Sequence, residues 1–158
     1  MTIIIGDYTC KIDAKGRVML SAAFKKQMPK AAQDKFVIKK DIYEKCLVLF
    51  PMDEWERQNQ LIRQNINPYN KEHAQFLREY YKDTADVELD ANNRFLIPAR
   101  LLNLVGIDKD KDIVLAGQMG KIEIWAKDLY DKTSDNIKDF GDLANKILGG
   151  NLNKLNEW

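Results

Sequence analysis

The sequence contains one unit twice, and this internal repeat limits the folds that the chain can adopt more than any other feature. Residues 11–24 (KIDAKGRVMLSAAF) align with residues 88–101 (ELDANNRFLIPARL) at an offset of 77. Two later stretches match in the same order, 34–38 with 111–115 at an offset of 77 and 47–53 with 122–128 at an offset of 75. The chain is therefore predicted to build two copies of one structural unit, with the length difference confined to a loop.

Each copy indicates the same order of elements: two short strands joined by a hairpin-like turn, then a short helix, then two further strands. The turn needs a residue with positive φ, which Gly16 supplies in the first copy and Asn93 in the second. Ser21 suits the N-cap of the first helix, and Pro98 suits the first turn of the second. The helices are predicted at 21–28 and 98–105, and the later strands near 36–39, 46–50, 112–116 and 121–125.

Helical segments are predicted after each copy. Asp53 and Asp128 are expected to cap them, and Asn67-Pro68 is expected to split the first into two helices. The second of these carries an apolar stripe typical of a core or a subunit interface, formed by Phe76, Leu77, Tyr80 and Tyr81. From Gly141 onward we expect a weak amphipathic helix that ends at Gly149-Gly150, followed by a tail that is mobile or docks on a neighbour.

Composition excludes several classes of protein. No apolar run approaches the roughly 18 residues that span a bilayer, and the N-terminus lacks the basic and apolar regions of a signal peptide, so we expect a cytoplasmic protein. Cys10 and Cys46 lie in strand-like segments without a Cys-x-x-Cys or Cys-x-x-His spacing. This pattern favours buried thiols over a metal site or a disulfide, and no metal is predicted.

Positive charge is concentrated in the first third of the chain. The formal net charge is only +1, but residues 1–50 carry ten Lys or Arg against five Asp or Glu. Such asymmetry indicates one basic surface, as nucleic-acid binding requires, although Lys-rich faces are commonly just solvated.

An Asp-x-x-x-Arg motif occurs in each copy, at Asp13 and Arg17 and again at Asp90 and Arg94. Across a tight turn the carboxylate and the guanidinium can meet, and a bidentate pair would hold the arginine fork in one plane. Arginine is the commonest reader of guanine in the major groove, which a two-stranded ribbon can enter. The alternative is that each pair only stabilises its turn. Repetition in register favours DNA contact, because two similar forks suit repeated half-sites.

These motifs resemble the MraZ family of bacterial transcriptional regulators over roughly residues 1–140. The resemblance rests on DAKGR, on DANNR 77 residues later, and on the segments LVLFPMDEW (47–55) and AGQMGKIEIW (116–125). It implies an α+β fold with a mainly β core, in which two AbrB-like (SpoVT-AbrB) βαββ-type units form a pseudo-dimeric β-barrel with peripheral helices. The expected divisions are module 1 at 7–55, a helical linker at 56–82, module 2 at 83–130 and a C-terminal helical extension at 131–158.

The resemblance also implies a function. It predicts a sequence-specific DNA-binding regulator without a cofactor, associated with the nucleoid. Such a chain is expected to form ring-shaped homo-oligomers on double-stranded DNA with repeated short sites. These sites would lie upstream of the cell-division and cell-wall gene cluster that contains its own gene. Whether binding represses or activates is left open.

The residues predicted to contact DNA combine the motif with nearby basic positions: Lys11, Asp13, Lys15, Arg17, Asp90, Arg94 and Arg100. Two departures from the family's pattern are Asn93, where the turn usually has Gly, and Leu20-Ser21-Ala22, where Val-Pro is common. Lysines surround Arg17 in the sequence (Lys11, Lys15, Lys25 and Lys26), whereas acidic residues surround Arg94 (Asp83, Asp86, Glu88 and Asp90). We therefore expect the first copy to dominate DNA contact, with Arg17 reading bases or fixing the turn and Lys15 touching phosphate.

Two rival classes are weighed against this hypothesis. An enzyme is disfavoured because the single histidine, His73, lies in a predicted helix without triad-like partners. The Gly117–Gly120 segment is too short for a phosphate-binding loop and indicates a β-turn. A protein-interaction module, such as an AbrB-like antitoxin whose segment 128–158 covers a partner protein, is the stronger rival.

Overall fold

The two copies of the repeat fold into the same run of elements in the computed structural model, which describes residues 3–150. The first copy forms β1 (Asp7–Lys11), β2 (Arg17–Met19), α1 (Ala22–Lys26), a 3-10 turn (Lys30–Ala32), β3 (Lys35–Lys40) and β4 (Leu47–Pro51). Two helices follow, α2 (Met52–Asn65) and α3 (Lys71–Tyr81). The second copy forms β5 (Thr84–Glu88), β6 (Arg94–Leu96), α4 (Ala99–Leu104), β7 (Asp112–Gln118) and β8 (Lys121–Ala126). The last two helices are α5 (Lys127–Asp131) and α6 (Phe140–Leu148).

Each copy thus has the order ββαββ. This is one strand more than the βαββ-type unit that the family resemblance implied, and it agrees with the two short strands predicted on either side of the turn. The molecule is mixed α+β, with a large antiparallel sheet and several helices, as predicted. The chain divides into two compact units, residues 1–127 and 128–158.

Strands of the two copies are interleaved in one antiparallel sheet. Its order is β1-β7-β8-β4-β3-β5, so the first strand of each copy pairs with the third strand of the other. β2 and β6 form a separate two-stranded ribbon. Within the described residues no pairing joins the edge strands β1 and β5, and the strand hydrogen bonds do not close a barrel.

The predicted hairpin is wrong. β1 and β2 are joined by a tight turn, but β1 pairs with β7 and β2 pairs with β6. The alternation that predicted two strands gives no information about their partners, because any strand of the right length satisfies the backbone groups equally well. Here the partners come from the other copy.

The strand pairing is unchanged when the two copies are exchanged. In the ribbon, Val18 lies opposite Phe95, which is the equivalent residue of the second copy. At the centre of the large sheet, Val48 lies opposite Glu123, again an equivalent position. The repeat in the sequence therefore corresponds to an approximate two-fold relation between strands.

The core lies between the sheet, the ribbon and the short helices of the two copies. Phe24 of α1 and Leu101 of α4 occupy equivalent positions, and both are fully buried. The ring of Phe24 meets that of Tyr8 edge-on, with centroids 4.9 Å apart. The largest fully buried side chains also include Ile4, Ile12, Phe36, Ile38, Leu47, Leu49, Phe95, Ile97, Ile113 and Leu115.

The helical segment after the first copy is split between Asn65 and Lys71, as Asn67-Pro68 predicted. α2 begins at Met52 after the N-cap residue Pro51, so Asp53 lies in its first turn and the predicted cap is wrong. Aspartate in a first turn is still favoured, because it interacts with the positive end of the helix dipole. Similarly, α5 begins at Lys127, so Asp128 lies in the first turn of that helix.

Only part of the predicted apolar stripe on α3 is core. Tyr80 is buried and stacks on Trp55 with ring centroids 6.2 Å apart, whereas Phe76 and Tyr81 remain over 40% exposed. The Nζ atom of Lys39 lies 4.3 Å from the centroid of the Tyr80 ring. Burial raises the pKa of Tyr80 to about 12 and lowers the pKa of Lys39.

The second unit contains α6, whose N-cap residue Asp139 accepts a hydrogen bond from the N–H of Asp142. Gly149 ends the helix with a φ of 56°, as its position predicted. Phe140 and Ile147 are over 70% exposed. The tail expected to be mobile or docked begins at residue 150, and residues 151–158 lie outside the described part of the chain. Among residues 3–150, no helix combines the length and apolar character that crossing a membrane requires.

Candidate nucleic-acid interface

The first Asp-x-x-x-Arg motif forms a closed turn, residues 13–17, which we call turn 1. The Oδ1 atom of Asp13 accepts hydrogen bonds from the N–H groups of Lys15 (2.9 Å) and Arg17 (2.8 Å). Its Oδ2 atom accepts a third from the Nε–H of Arg17 at 2.7 Å. The backbone closes the turn as well, because Asp13 N–H donates to the carbonyl of Arg17 and Gly16 N–H donates to that of Asp13, each at 3.0 Å.

The second motif, residues 90–94, repeats this geometry and is called turn 2. Asp90 Oδ1 accepts from the N–H groups of Asn92 (2.8 Å) and Arg94 (2.9 Å), and its Oδ2 accepts from Arg94 Nε–H at 3.1 Å. Asp90 N–H donates to the Arg94 carbonyl at 2.8 Å, and Asn93 N–H donates to the Asp90 carbonyl at 3.0 Å. The two motifs therefore form one arrangement twice.

Both turns depend on one residue in the left-handed region, as predicted. Gly16 has a φ of 87° and Asn93 has a φ of 60°. A Cβ atom on Gly16 would lie 3.3 Å from the carbonyl oxygen of Ile97, so turn 1 is also tightly packed. Asn93 shows that the equivalent position of turn 2 accepts a side chain.

The aspartates hold the arginines through one nitrogen and not through the predicted bidentate fork. Each salt bridge joins Oδ2 to Nε, because the other carboxylate oxygen is occupied by backbone N–H groups. Within residues 3–150, no hydrogen bond engages the two Nη groups of Arg17 or Arg94. The side chains are 31% and 28% exposed. Each arginine is therefore oriented at its Nε while its outer donors stay available to a ligand.

The same hydrogen bonds keep the aspartates ionised. Chiefly through the N–H of Arg17, and further through its side chain and the N–H of Lys15, turn 1 lowers the pKa of Asp13. Turn 2 lowers the pKa of Asp90, chiefly through the N–H of Arg94. A charged carboxylate gives a stronger hydrogen bond to the guanidinium, which fixes its direction.

The ribbon brings both arginines onto one exposed face. Val18 and Phe95 point inward and are buried, so the residues on either side of them point outward on the other face. That face, called the ribbon face here, carries Arg17, Met19, Arg94 and Leu96. Sequence reasoning missed Met19 and Leu96, although the alternation of each strand around its buried residue was the signal that could have found them.

Lys25 was expected near Arg17 from its position in the sequence, but it lies beside turn 2. Its Nζ donates to Asn93 Oδ1 at 2.8 Å and lies 3.6 Å from Asp34 Oδ1, so it serves turn 2 and not the surroundings of Arg17. The equivalent residue of the second copy, Leu102, lies beside Gly16 of turn 1. Each short helix therefore packs against the turn of the other copy. This exchange reduces the charge contrast between the turns that the sequence order predicted.

The remaining predicted site residues are distributed unevenly. Lys15 is exposed at the tip of turn 1, and Lys11 is exposed on β1 opposite Asp112. Arg100 forms a salt bridge with Asp83 at 2.9 Å, so its guanidinium is engaged outside the turns. The structure thus joins the Asp-Arg motifs and Lys15 into one candidate surface but ties Arg100 to an acidic partner.

The cysteines and the histidine have structural surroundings. Both cysteines are free; Cys46 is buried as predicted, and Cys10 is half-buried. Burial, together with Glu123 and Asp41, raises the pKa of Cys46. Among residues 3–150, Asp41, Cys46 and Glu123 are the one cluster of three or more side chains that could ligate a metal ion together. Their ligand atoms all lie within 4.8 Å of one another.

The Nδ1 atom of His73 accepts a hydrogen bond from the N–H of Asn67, which ties the start of α3 to the loop before it.

Comparisons with known proteins cover almost the whole chain. The family described as "MraZ protein, putative antitoxin-like" matches residues 3–79 and 81–146. A protein of Christiangramia forsetii named transcriptional regulator MraZ is 42% identical over 152 residues, which is 94% of this chain and 95% of that protein. Proteins of the same name from Flavobacterium psychrophilum and Phocaeicola vulgatus are each 40% identical and cover 94% of this chain. These alignments cover 94% and 96% of the two relatives.

Proposed function

The chain belongs to the MraZ family, and on that premise we propose that it is a DNA-binding transcriptional regulator that contacts DNA through the ribbon face and the two turns. Its relatives are named as regulators and not as enzymes, in agreement with the predicted class. The observation that carries the proposal is the pair of arginines, Arg17 and Arg94. Each is oriented by an ionised aspartate, and both lie on one exposed face with outer donors available.

The chemistry of this face suits a DNA groove. A two-stranded ribbon is narrow enough for the major groove, and an arginine whose Nη groups are not engaged by the protein can donate to the O6 and N7 atoms of guanine. Lys15 at the tip of turn 1 is placed for a phosphate, which gives affinity but no sequence information. Asp13 and Asp90 act as positioning residues in this account, because they orient the arginines without contacting DNA.

The pairing of strands between copies supports a module assignment. We propose two AbrB-like modules, residues 7–55 and 83–130, which pair within one chain as a pseudo-dimeric β-barrel that strand hydrogen bonds leave open between β1 and β5. Residues 56–82 link them and residues 131–158 form an extension. The equivalent positions Val18 and Phe95 face one another in the ribbon, as two subunits of a symmetric dimer would.

Residues 3–150 of one chain contain two arginines held in this way, which is a small number for tight DNA binding. We therefore propose a homo-oligomer, ring-shaped in form, that engages repeated short sites and gains affinity through effective concentration. The sites would lie ahead of the cell-division and cell-wall gene cluster containing its own gene, and the protein would act at the nucleoid in the cytoplasm. Light scattering on the eluting protein tests the assembly, and a stable monomer would contradict it.

The direct test of DNA binding uses the full chain and a labelled duplex from the region upstream of its own gene. A scrambled duplex of the same composition is the control. Binding that prefers the native duplex and weakens steeply as salt rises is expected, because released counterions drive phosphate contacts. Equal affinity for both duplexes, or no complex at low salt, would contradict the proposal.

A second candidate is an antitoxin-like module, since the matching family carries that description. The observation favouring it is the amphipathic helix α6, whose Phe140 and Ile147 are over 70% exposed. In that case segment 128–158 would cover a partner protein. A chain lacking salt-sensitive, sequence-preferring DNA binding would favour this candidate.

A further inference from the structure

We propose that Met19 and Leu96 determine part of the DNA sequence preference by contacting the methyl groups of thymine. This inference rests on the proposed function, because it concerns the same ribbon face. It assigns the two apolar residues a role that the arginines cannot perform. A guanidinium donates hydrogen bonds to guanine, whereas the thymine methyl group offers only an apolar contact in the major groove.

Both apolar residues of the ribbon face are exposed to solvent. Met19 is 57% exposed and Leu96 is 55% exposed, although the residues before and after each of them along the chain are buried. Single exposed apolar residues are common on protein surfaces and need no explanation by themselves. These two differ because they are equivalent residues of the two copies and share one face with the oriented arginines.

The register of the ribbon places each apolar residue beside an arginine. Across the ribbon, Arg17 lies opposite Leu96 and Met19 lies opposite Arg94. Opposite Cβ atoms in an antiparallel pair are about 4.5–5.5 Å apart, so each arginine has an apolar side chain as its direct neighbour. On the ribbon face, two arginine side chains therefore alternate with two apolar side chains, both along each strand and across the ribbon.

Along each strand, the spacing of residues on the ribbon face is about twice the spacing of stacked bases. Two residues on one face of a strand are about 6.6 Å apart, since each residue advances the strand by about 3.3 Å. Stacked bases along one DNA strand are about 3.4 Å apart. Along β2, Arg17 and Met19 therefore match bases two steps apart, and Arg94 and Leu96 do the same along β6. A site read by this face would carry a guanine and a thymine at that separation.

Charge complementarity selects DNA as the occupant of this face. The two arginines opposite Leu96 and Met19 have Nη donors that no hydrogen bond engages among the described residues, and such donors suit an anionic partner with acceptor groups. Exchange of the two copies maps Met19 onto Leu96, so the preferred thymines are expected at related positions on opposite DNA strands.

The experiment uses duplexes that the full chain selects from a random-sequence library. In the best-bound duplex, each thymine is replaced in turn by deoxyuridine, which lacks only the methyl group. Binding is measured for the wild-type chain, for Met19→Ala, for Leu96→Ala and for Ile42→Ala. Ile42 is a matched control, because it is also 57% exposed and lies outside the ribbon. Circular dichroism melts check that each variant folds.

At the thymines that Met19 or Leu96 contacts, replacement by deoxyuridine is expected to weaken wild-type binding about fourfold. This corresponds to about 0.8 kcal/mol, the value for burying one CH₂-sized group. Met19→Ala or Leu96→Ala should bind the thymine duplex more weakly and lose this sensitivity at its own position. Ile42→Ala should keep the full deoxyuridine effect.

Three results would overturn the inference. The wild-type chain could bind selected duplexes without any deoxyuridine effect, or the Met19 and Leu96 variants could retain the full effect. The variants could also change the oligomeric mass while DNA preference stays unaltered, which would make the face a contact between copies. Failure of the library to yield any preferred duplex would instead overturn the proposed function, so the two failures are distinguishable.

Discussion

At the scale of single residues, the conformation of each turn depends on one residue with a left-handed backbone and on one aspartate. Gly16 and Asn93 occupy that position with φ values of 87° and 60°. The repeat predicted both conformations correctly from residue type. It could not predict how Asp13 divides its oxygens between backbone and guanidinium, because that division depends on the closed geometry of the turn.

Gly16→Ala is expected to destabilise the protein by about 1–2 kcal/mol, because a left-handed backbone is strained for an alanine. The added Cβ would also meet the Ile97 carbonyl. Gly16→Asn should cost less, since asparagine tolerates this conformation and does so at residue 93. Urea unfolding measures both values, and an equal loss for the two variants would contradict the account.

Acidification is expected to weaken the turns. A carboxyl whose pKa is lowered in the folded state stabilises the fold above its unfolded pKa of about 3.9, and this contribution disappears as pH falls through the folded value. Because Asp13 and Asp90 both have lowered pKa values, stability should fall below about pH 5. The double variant Asp13→Asn/Asp90→Asn should show a smaller fall in urea unfolding.

The control for this pH dependence is Asp86→Asn/Asp108→Asn. Both of these residues are exposed, and no hydrogen bond engages their side chains in the described part of the chain. This control should show the same fall as the wild type. If the two double variants behaved alike, the turns would not be the source of the acid sensitivity.

The first copy was expected to dominate DNA contact. Because Lys25 contacts turn 2, this expected difference between the copies depends on the residues at the turn tips. Lys15 of turn 1 has Asn92 as its equivalent in turn 2. Lys15→Asn should weaken binding to all DNA sequences and reduce the salt slope by about 1, and Asn92→Lys should raise the slope by about 1. If Lys15→Asn left the slope unchanged, Lys15 would not contact phosphate.

At the scale of elements, the sequence predicted most strands and helices but not their partners. Periodicity and turn residues placed β3, β7 and α3 nearly where they lie. The exchange of β1 and β5 between copies was not predictable, because residues that pair across 45 or more positions of the chain leave no local pattern. For the same reason the sequence order assigned Lys25 to the wrong turn.

The ribbon provides a stability test on neighbouring residues of one strand. Phe95 is 1% exposed, so Phe95→Ala should destabilise the protein by about 3–5 kcal/mol through the cavity that it leaves. Leu96 is 55% exposed, and Leu96→Ala should change stability by no more than about 0.5 kcal/mol. Thermal or urea unfolding compares the two. A large loss from Leu96→Ala would mean that the ribbon face is not the outer face.

At the scale of the whole molecule, the interleaved sheet makes the two copies one structural unit, while the residues at the turn tips, Lys15 and Asn92, make them unequal. Net charge is a poor guide to DNA binding here, since a value of +1 conceals oriented arginines on one face. The family and its function could be predicted from the family resemblance, which rests on the repeated Asp-x-x-x-Arg motif together with segments 47–55 and 116–125. The ribbon face could not, because it exists only when β2 and β6 pair.

The most direct measurement compares discrimination between the native upstream duplex and its scrambled control across a salt series. The double variant Arg17→Ala/Arg94→Ala should lose most of this discrimination, since each arginine that reads a base contributes about 1–3 kcal/mol. Arg63→Ala/Arg78→Ala removes the same charge from exposed positions on α2 and α3 and should retain the discrimination. If both double variants lost it equally, or if the ribbon variant kept it, the ribbon face would not be the DNA-reading surface.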